Sequence, residues 1–159
     1  MTDAGYTVVV GIDFSELGNS ALDEAIALAA ERFEATLHVV HVAESEGPLL
    51  RMTLPGGARS LTKQEAMDFL TEHVKKHLAE RRADELDLPD DRAEVHVRVG
   101  VPSDELTQVA SDKNADLVVV GTHGRTGLSR ILLGSVAEAT VRKAACPVLV
   151  IRPKNYSKD

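Results

Sequence analysis

The sequence predicts an α/β protein built as a single doubly wound, open five-stranded parallel sheet, order 3-2-1-4-5, with helices on both faces. Three observations carry that expectation. Short strand-like runs alternate with helix-like segments along all 159 residues, the sign of βαβ units. Two of the runs, Thr7-Val8-Val9-Val10-Gly11-Ile12 and Leu117-Val118-Val119-Val120, are apolar almost throughout, as strands covered on both faces must be. A third, Glu94-Val95-His96-Val97-Arg98-Val99, alternates strictly and reads as a half-exposed edge.

After the first run, Ser15 is placed to cap a helix carrying Leu22, Ala25, Ile26, Ala29 and Phe33 at helical spacing. The second strand, Leu37–Val42, leads into residues 44 to 61, where Gly47, Pro48, Pro55, Gly56 and Gly57 suggest a long loop, mobile or functional. Thr62 and Glu65 form a capping box for a helix to about Ala83, with Ala66, Leu70, Val74 and Leu78 on its buried stripe. Gly100 follows the third strand, and a helix starting near Pro102 or Ser103 turns Leu106, Val109 and Ala110 inward. The fourth strand ends at Gly121. A last helix runs from Ser135 to about Ala145, and Pro147–Ile151 forms the fifth strand, with residues 153–159 as a tail.

Right-handed crossovers leave few ways to thread five parallel strands. The order 3-2-1-4-5 puts the alternating run at a margin and the two apolar runs side by side in the centre. Such sheets bind ligands beyond the carboxyl ends of the strands where the winding reverses, here between the first and fourth strands. Asp13 and the segment from Gly121 lie there.

Composition narrows the function. The hydrophobic fraction is 43%, aromatic residues are 3% and tryptophan is absent, so the core is aliphatic. A formal charge of −7 argues against binding a nucleic-acid backbone. The single cysteine, Cys146, excludes an internal disulfide, and the start of the chain lacks the pattern of a signal peptide. No run approaches the roughly 20 apolar residues that span a bilayer. One cytoplasmic domain covering 1–159, with no membrane partner, is the expectation.

The chemistry concentrates in residues 121–138, where glycines stand at 121, 124, 127 and 134, followed at once by Ser135. Glycine lets a backbone approach phosphate oxygens closely, and a helix N-terminus offers unpaired N–H groups and partial positive charge. Ser135 with Glu138 reads as a capping box that starts the helix there. His123, Arg125 and Arg130 add local positive charge. Turns alone would also explain the glycines. However, the segment follows a central strand at the switch point, the context in which a phosphate-binding reading gains weight. Neither a Walker-type loop nor a Gly-x-Gly-x-x-Gly fingerprint occurs.

The spacing Gly121-x2-Gly124-x9-Gly134-Ser135 resembles the ATP-binding signature of the universal stress protein family. The resemblance extends to Val10–Glu16, Leu37–Val42, Gly100-Val101-Pro102 and Ala145–Arg152. It implies a dimeric, ATP-binding stress-response regulator. By that similarity, backbone groups of Gly121, Gly124, Gly134 and Val136, with the Ser135 hydroxyl, hold the phosphates and ribose of ATP or another adenine nucleotide. Val42 meets the adenine, and Asp13 faces the triphosphate through Mg²⁺, although a helix-capping role for Asp13 stays open. His123 and Arg125 match the family in position and type. Gly11 is counted with the site, although family members often carry Pro or another residue there. The apolar edge Val148–Ile151 would pair with its mate in a homodimer.

Three readings of function follow: a nucleotide-dependent signalling module; a slow ATPase or autophosphorylating enzyme using Ser135 or Thr126; and a nucleotide-independent adaptor for a transporter or enzyme. No residue marks a nucleophile or a catalytic base, which favours the first. His73 and His77, one helical turn apart, read as a solvated helix face, Cys146 as a buried structural thiol, and His38, His41 and His96 as strand-face hydrogen-bonding groups.

Overall fold

A computed structural model of the chain describes residues 5–122, 133–154 and 156. Its elements are β1 (Thr7–Gly11), α1 (Glu16–Ala30), β2 (Thr36–Glu46), β3 (Leu49–Leu54), β4 (Gly57–Leu61), α2 (Lys63–Ala83), β5 (Ala93–Val99), α3 (Pro102–Asp112), β6 (Leu117–Gly121), α4 (Ser135–Lys143) and β7 (Val148–Ile151). Five of the strands run parallel in the order β5-β2-β1-β6-β7, the order the sequence predicts. The apolar strands β1 and β6 sit side by side, Val8 opposite Leu117 and Val10 opposite Val119. The alternating strand β5 lies at the margin and, among the described residues, pairs with β2 alone.

The expected loop at 44–61 is instead a pair of antiparallel strands, which makes the sheet mixed and seven-stranded among the described residues. β2 runs on to Glu46, where Glu44, Ser45 and Glu46 pair with Arg51, Leu50 and Leu49, and β3 in turn pairs with β4. The glycines that suggested a loop make the two turns: Gly47, Gly56 and Gly57 all adopt positive φ, which tight hairpin turns require. Met52 and Leu54 point inward, with 1% and 2% of their surface exposed, and join Leu61, Leu70 and Val74 in the core.

The sheet separates two apolar layers. On one face, Val8, Val10, Leu37 and Val39 meet Leu22, Ile26, Leu70 and Leu78 of α1 and α2. On the other, Val9, Val40, Val118 and Val120 meet Leu106, Val109 and Ala137 of α3 and α4. Each fully buried Val or Leu contributes about 1.5–3 kcal/mol, so the aliphatic core expected from composition is the main source of stability. Cys146 is half-buried at the margin of the second layer, where burial, followed by Asp116, raises its thiol pKa.

The helix starts follow their caps. Ser15 Oγ accepts the Gly18 N–H at 3.0 Å, and Thr62 and Glu65 complete the predicted capping box of α2. Two expectations fail. α1 ends at Ala30, and the chain turns through Glu34 at φ 53°, which leaves Phe33 86% exposed rather than on the buried stripe. His73 and His77 do not face solvent. His77 is 7% exposed with Nδ1 2.7 Å from Asp23, and His73 Nε2 lies 2.8 Å from Asn19 Oδ1. Both histidines are used where α2 packs on α1, a contact that the solvated-face reading did not include.

Candidate functional site

β1 and β6 hand the chain to opposite faces of the sheet, α1 to one and α4 to the other. A cleft of about 280 Å³ opens beyond their carboxyl ends, where a doubly wound sheet places its ligand. Gly11, Ile12 and Asp13 form one wall after β1; Val40 and Val42 of β2, Val120 and Gly121 of β6, Pro102 and Leu106 of α3, Gly18 of α1 and Val136 of α4 complete it.

Close packing explains two of the glycines. A Cβ on Gly18 would lie 2.6 Å from Asp13 Oδ1, and one on Gly121 would lie 3.0 Å from Leu17 Cγ. Both positions hold α1 tight against the strand ends.

The end of β1 is tied down from several directions. Ile12 donates its N–H to Val40 O at 2.9 Å, and His41 Nδ1 lies 2.9 Å from Ile12 O. Phe14 adopts φ 64°, a left-handed conformation costly for a bulky residue and frequent at functional sites. Its ring is packed among His41, Phe69 and His73, with centroids 4.8, 5.3 and 5.0 Å away. That turn aims Asp13 at the cleft. Asp13 Oδ1 accepts from the Ser15 N–H at 3.0 Å and from Ser15 Oγ at 2.5 Å, so Asp13 and Ser15 together build the start of α1.

The start of α4 corrects one expectation. Gly134, at φ −62° and ψ 156°, occupies the cap position, and among the described residues no side chain caps the helix. Ser135 is therefore the first helical residue, and the Ser135–Glu138 box does not form; Glu138 Oε1 accepts from Arg142 at 2.6 Å instead. The Gly134 N–H donates to Thr122 O at 2.6 Å, which ties the start of α4 to the end of β6. The first-turn N–H groups at Ser135, Val136 and Ala137, which precede the first intrahelical bond at Glu138, are the anion-attracting feature of a helix N-terminus.

Of the residues singled out from sequence, Gly11, Asp13, Val42, Gly121 and Val136 line the cleft, and Gly134 and Ser135 directly precede Val136. His123, Gly124, Arg125 and Thr126 lie outside the described residues. Ile12, Gly18, Val40, Pro102, Leu106 and Val120 also line the cleft and were not anticipated. Strand periodicity would have found Val40, two residues before Val42; Val120 lies on the opposite face from Gly121 and, like α3 and α1, enters only through tertiary packing. Asp13 is the one ionisable group among the described lining residues. The arrangement is an apolar slot with a carboxylate and a helix N-terminus at its polar end, suited to a flat apolar group joined to an anionic one.

Comparison with known proteins agrees with this architecture. The universal stress protein family model matches residues 6–152. Universal stress protein MJ0531 of Methanocaldococcus jannaschii is 36% identical over 150 residues, covering 91% of this chain and 81% of the relative. Universal stress protein YxiE of Bacillus subtilis is 32% identical over 155 residues, covering 91% and 97%. A crystal structure of a universal stress protein in complex with cAMP superposes with a TM-score of 0.65 at 27% identity, over 94% of this chain and 98% of that one. With the family's model spanning nearly the whole chain and these relatives each matching 91% of it, this protein belongs to the universal stress protein family.

Proposed function

We propose that this protein is an adenine-nucleotide-binding stress-response regulator whose output is set by occupancy of the cleft. The observation that carries the reading is the juxtaposition of the apolar walls Val40, Val42, Val120 and Leu106 with Asp13 and the N-terminus of α4. The valines and Leu106 form a slot for adenine. The first-turn N–H groups of α4 receive phosphate oxygens, with the Ser135 hydroxyl beside them and Gly121 lining the approach; the Gly134 N–H, expected from the resemblance to join them, is engaged by Thr122 O. The cAMP complex of a structural relative supports an adenine nucleotide as the ligand, and ATP is the member of that class proposed here, from the glycine spacing.

Mg²⁺ fits the donor chemistry: a carboxylate beside phosphates suits a hard cation that takes one or two carboxylates plus phosphate and water oxygens. Asp13 would hold it. Ser15 orients the carboxylate through Oδ1, and Asp13 is the one ionisable group among the described lining residues; with that group committed to the cation, signalling by occupancy accounts for the site better than turnover. We further propose a cytoplasmic homodimer through β7, a strand half-buried at all four positions and paired only with β6 among the described residues. No described helix is long and apolar enough to cross a membrane.

The test is mass spectrometry of ligand released from gently purified protein, followed by calorimetric titration of the emptied protein with ATP and Mg²⁺. Release or stoichiometric binding of ATP is the expected result. Protein that neither carries nor binds an adenine nucleotide overturns the reading.

A further inference from the structure

Three ligand-type side chains converge at the other end of the same sheet face, away from the cleft. His38 of β2 pairs in register with Glu94 of β5, and His96 stands two residues further along, so all three side chains point to the α3 side. His38 Nδ1 lies 2.9 Å from His96 Nε2, Glu94 Oε2 lies 3.5 Å from His38 Nδ1, and Glu94 Oε1 lies 3.8 Å from His96 Nε2. We propose that His38, His96 and Glu94 form a binding site for a late first-row divalent cation of the zinc type.

The size of the triangle supports this. Tetrahedral zinc, with bonds of about 2.0–2.2 Å to nitrogen and oxygen, spaces its ligands roughly 3.3–3.5 Å apart. The observed edges bracket that value, so only small side-chain movements separate the present cluster from a coordinating one. Two imidazoles and one carboxylate form a donor set of borderline softness, suited to Zn²⁺, Co²⁺ or Ni²⁺ rather than to Mg²⁺ or Ca²⁺. His38 is buried, His96 is half-buried and Glu94 is exposed, which leaves the fourth position open to water. Burial lowers the pKa of both histidines, so the neutral rings that a metal requires are already favoured. Two neutral rings need no net proton loss, because the ring now donating can carry its proton on the outer nitrogen instead.

The resident competitor is Lys113, whose Nζ lies 3.8 Å from Glu94 Oε1. Lys113 closes the C-terminal end of α3, whereas Pro102 and Leu106 at its other end line the nucleotide cleft. Eleven residues of helix separate the two regions by about 16 Å, so the cation site stands independently of the nucleotide reading.

The experiment is titration of the untagged full chain with Co²⁺, followed by visible spectroscopy, and with Zn²⁺, followed by calorimetry. One equivalent should bind, with the strong visible bands of four-coordinate Co²⁺. His38→Ala and His96→Ala should each weaken binding at least about ten-fold, and His73→Ala should leave it unchanged. Glu94→Gln alters an exposed side chain and carries the test should a histidine variant fail to fold; it too should weaken binding. Lys113→Met should tighten binding several-fold by releasing Glu94. Absence of saturable binding, binding that survives loss of both His38 and His96, or an unchanged affinity in Lys113→Met overturns the three-residue site.

Discussion

The Gly134 N–H and the Thr122 carbonyl meet at 2.6 Å, which fixes the first turn of α4 over the carboxyl end of β6. Gly134 takes the cap position without a side chain, so no side chain of a described residue caps the N–H groups of that turn.

Placing a negative charge there should separate ligand binding from stability. Val136 lines the cleft and is exposed, and an acidic residue in a first turn favours the helix. Val136→Glu is expected to keep or slightly raise the melting temperature while weakening ATP binding by at least about ten-fold. Calorimetry beside thermal denaturation checks both halves.

Ser15 serves both the cap of α1 and the turn that holds Asp13. Ser15→Ala should cost about 1 kcal/mol in denaturant unfolding, the usual loss for a missing N-cap. Since Asp13 Oδ1 also loses the hydroxyl, the Mg²⁺ dependence of nucleotide binding should change in the same variant. A Thr at position 15 should restore both.

If the 44–61 hairpin is a structural part of the fold, removing its anchor must destabilise the whole domain. Met52 is almost fully buried in the main core, and Met52→Ala should lower unfolding free energy by about 2–5 kcal/mol. A change under about 0.5 kcal/mol would mean that the hairpin contributes no more than an ordinary surface loop.

Acid should destabilise the protein through its histidines. His73 is pushed down to about 4, first by burial and then by His77 and Lys76, with Asp23 and Glu80 acting the other way. In the unfolded chain it titrates near its usual value of about 6.5. Between those limits the unfolded state binds more protons, so stability is complete above about pH 6.5 and falls as the pH drops toward 4. His38 and His96, also lowered by burial, act in the same direction. Replacing His73 with Gln should flatten this acid limb, read from denaturant midpoints at pH 4.5 and 7.

Much of this was legible because local pattern and tertiary demand coincide. The uninterrupted valines of β1 and β6 could only be central strands, and the alternation of β5 only an edge. The caps at Ser15 and Thr62 were readable because each motif is completed within three residues. At 44–61 the glycines and prolines read as one long loop; the glycines make turns, but the strands between them are short, and only burial of Met52 in the main core marks them as strands. The Ser135 box failed for a related reason: an extended Gly134, tied to Thr122, claimed the cap one residue earlier. Gly11, Gly121 and Asp13 were visible in sequence, whereas Pro102, Leu106 and Gly18 reach the cleft only through packing.

β2 carries His38, Val40 and Val42 on a single face: a candidate cation ligand, a core residue and a wall of the cleft. Alternation along a strand has a period of two, so one residue gained or lost between His38 and Val42 would turn one end of that row to the opposite side of the sheet. An insertion or deletion inside this five-residue stretch would therefore have to arrive in pairs to be tolerated.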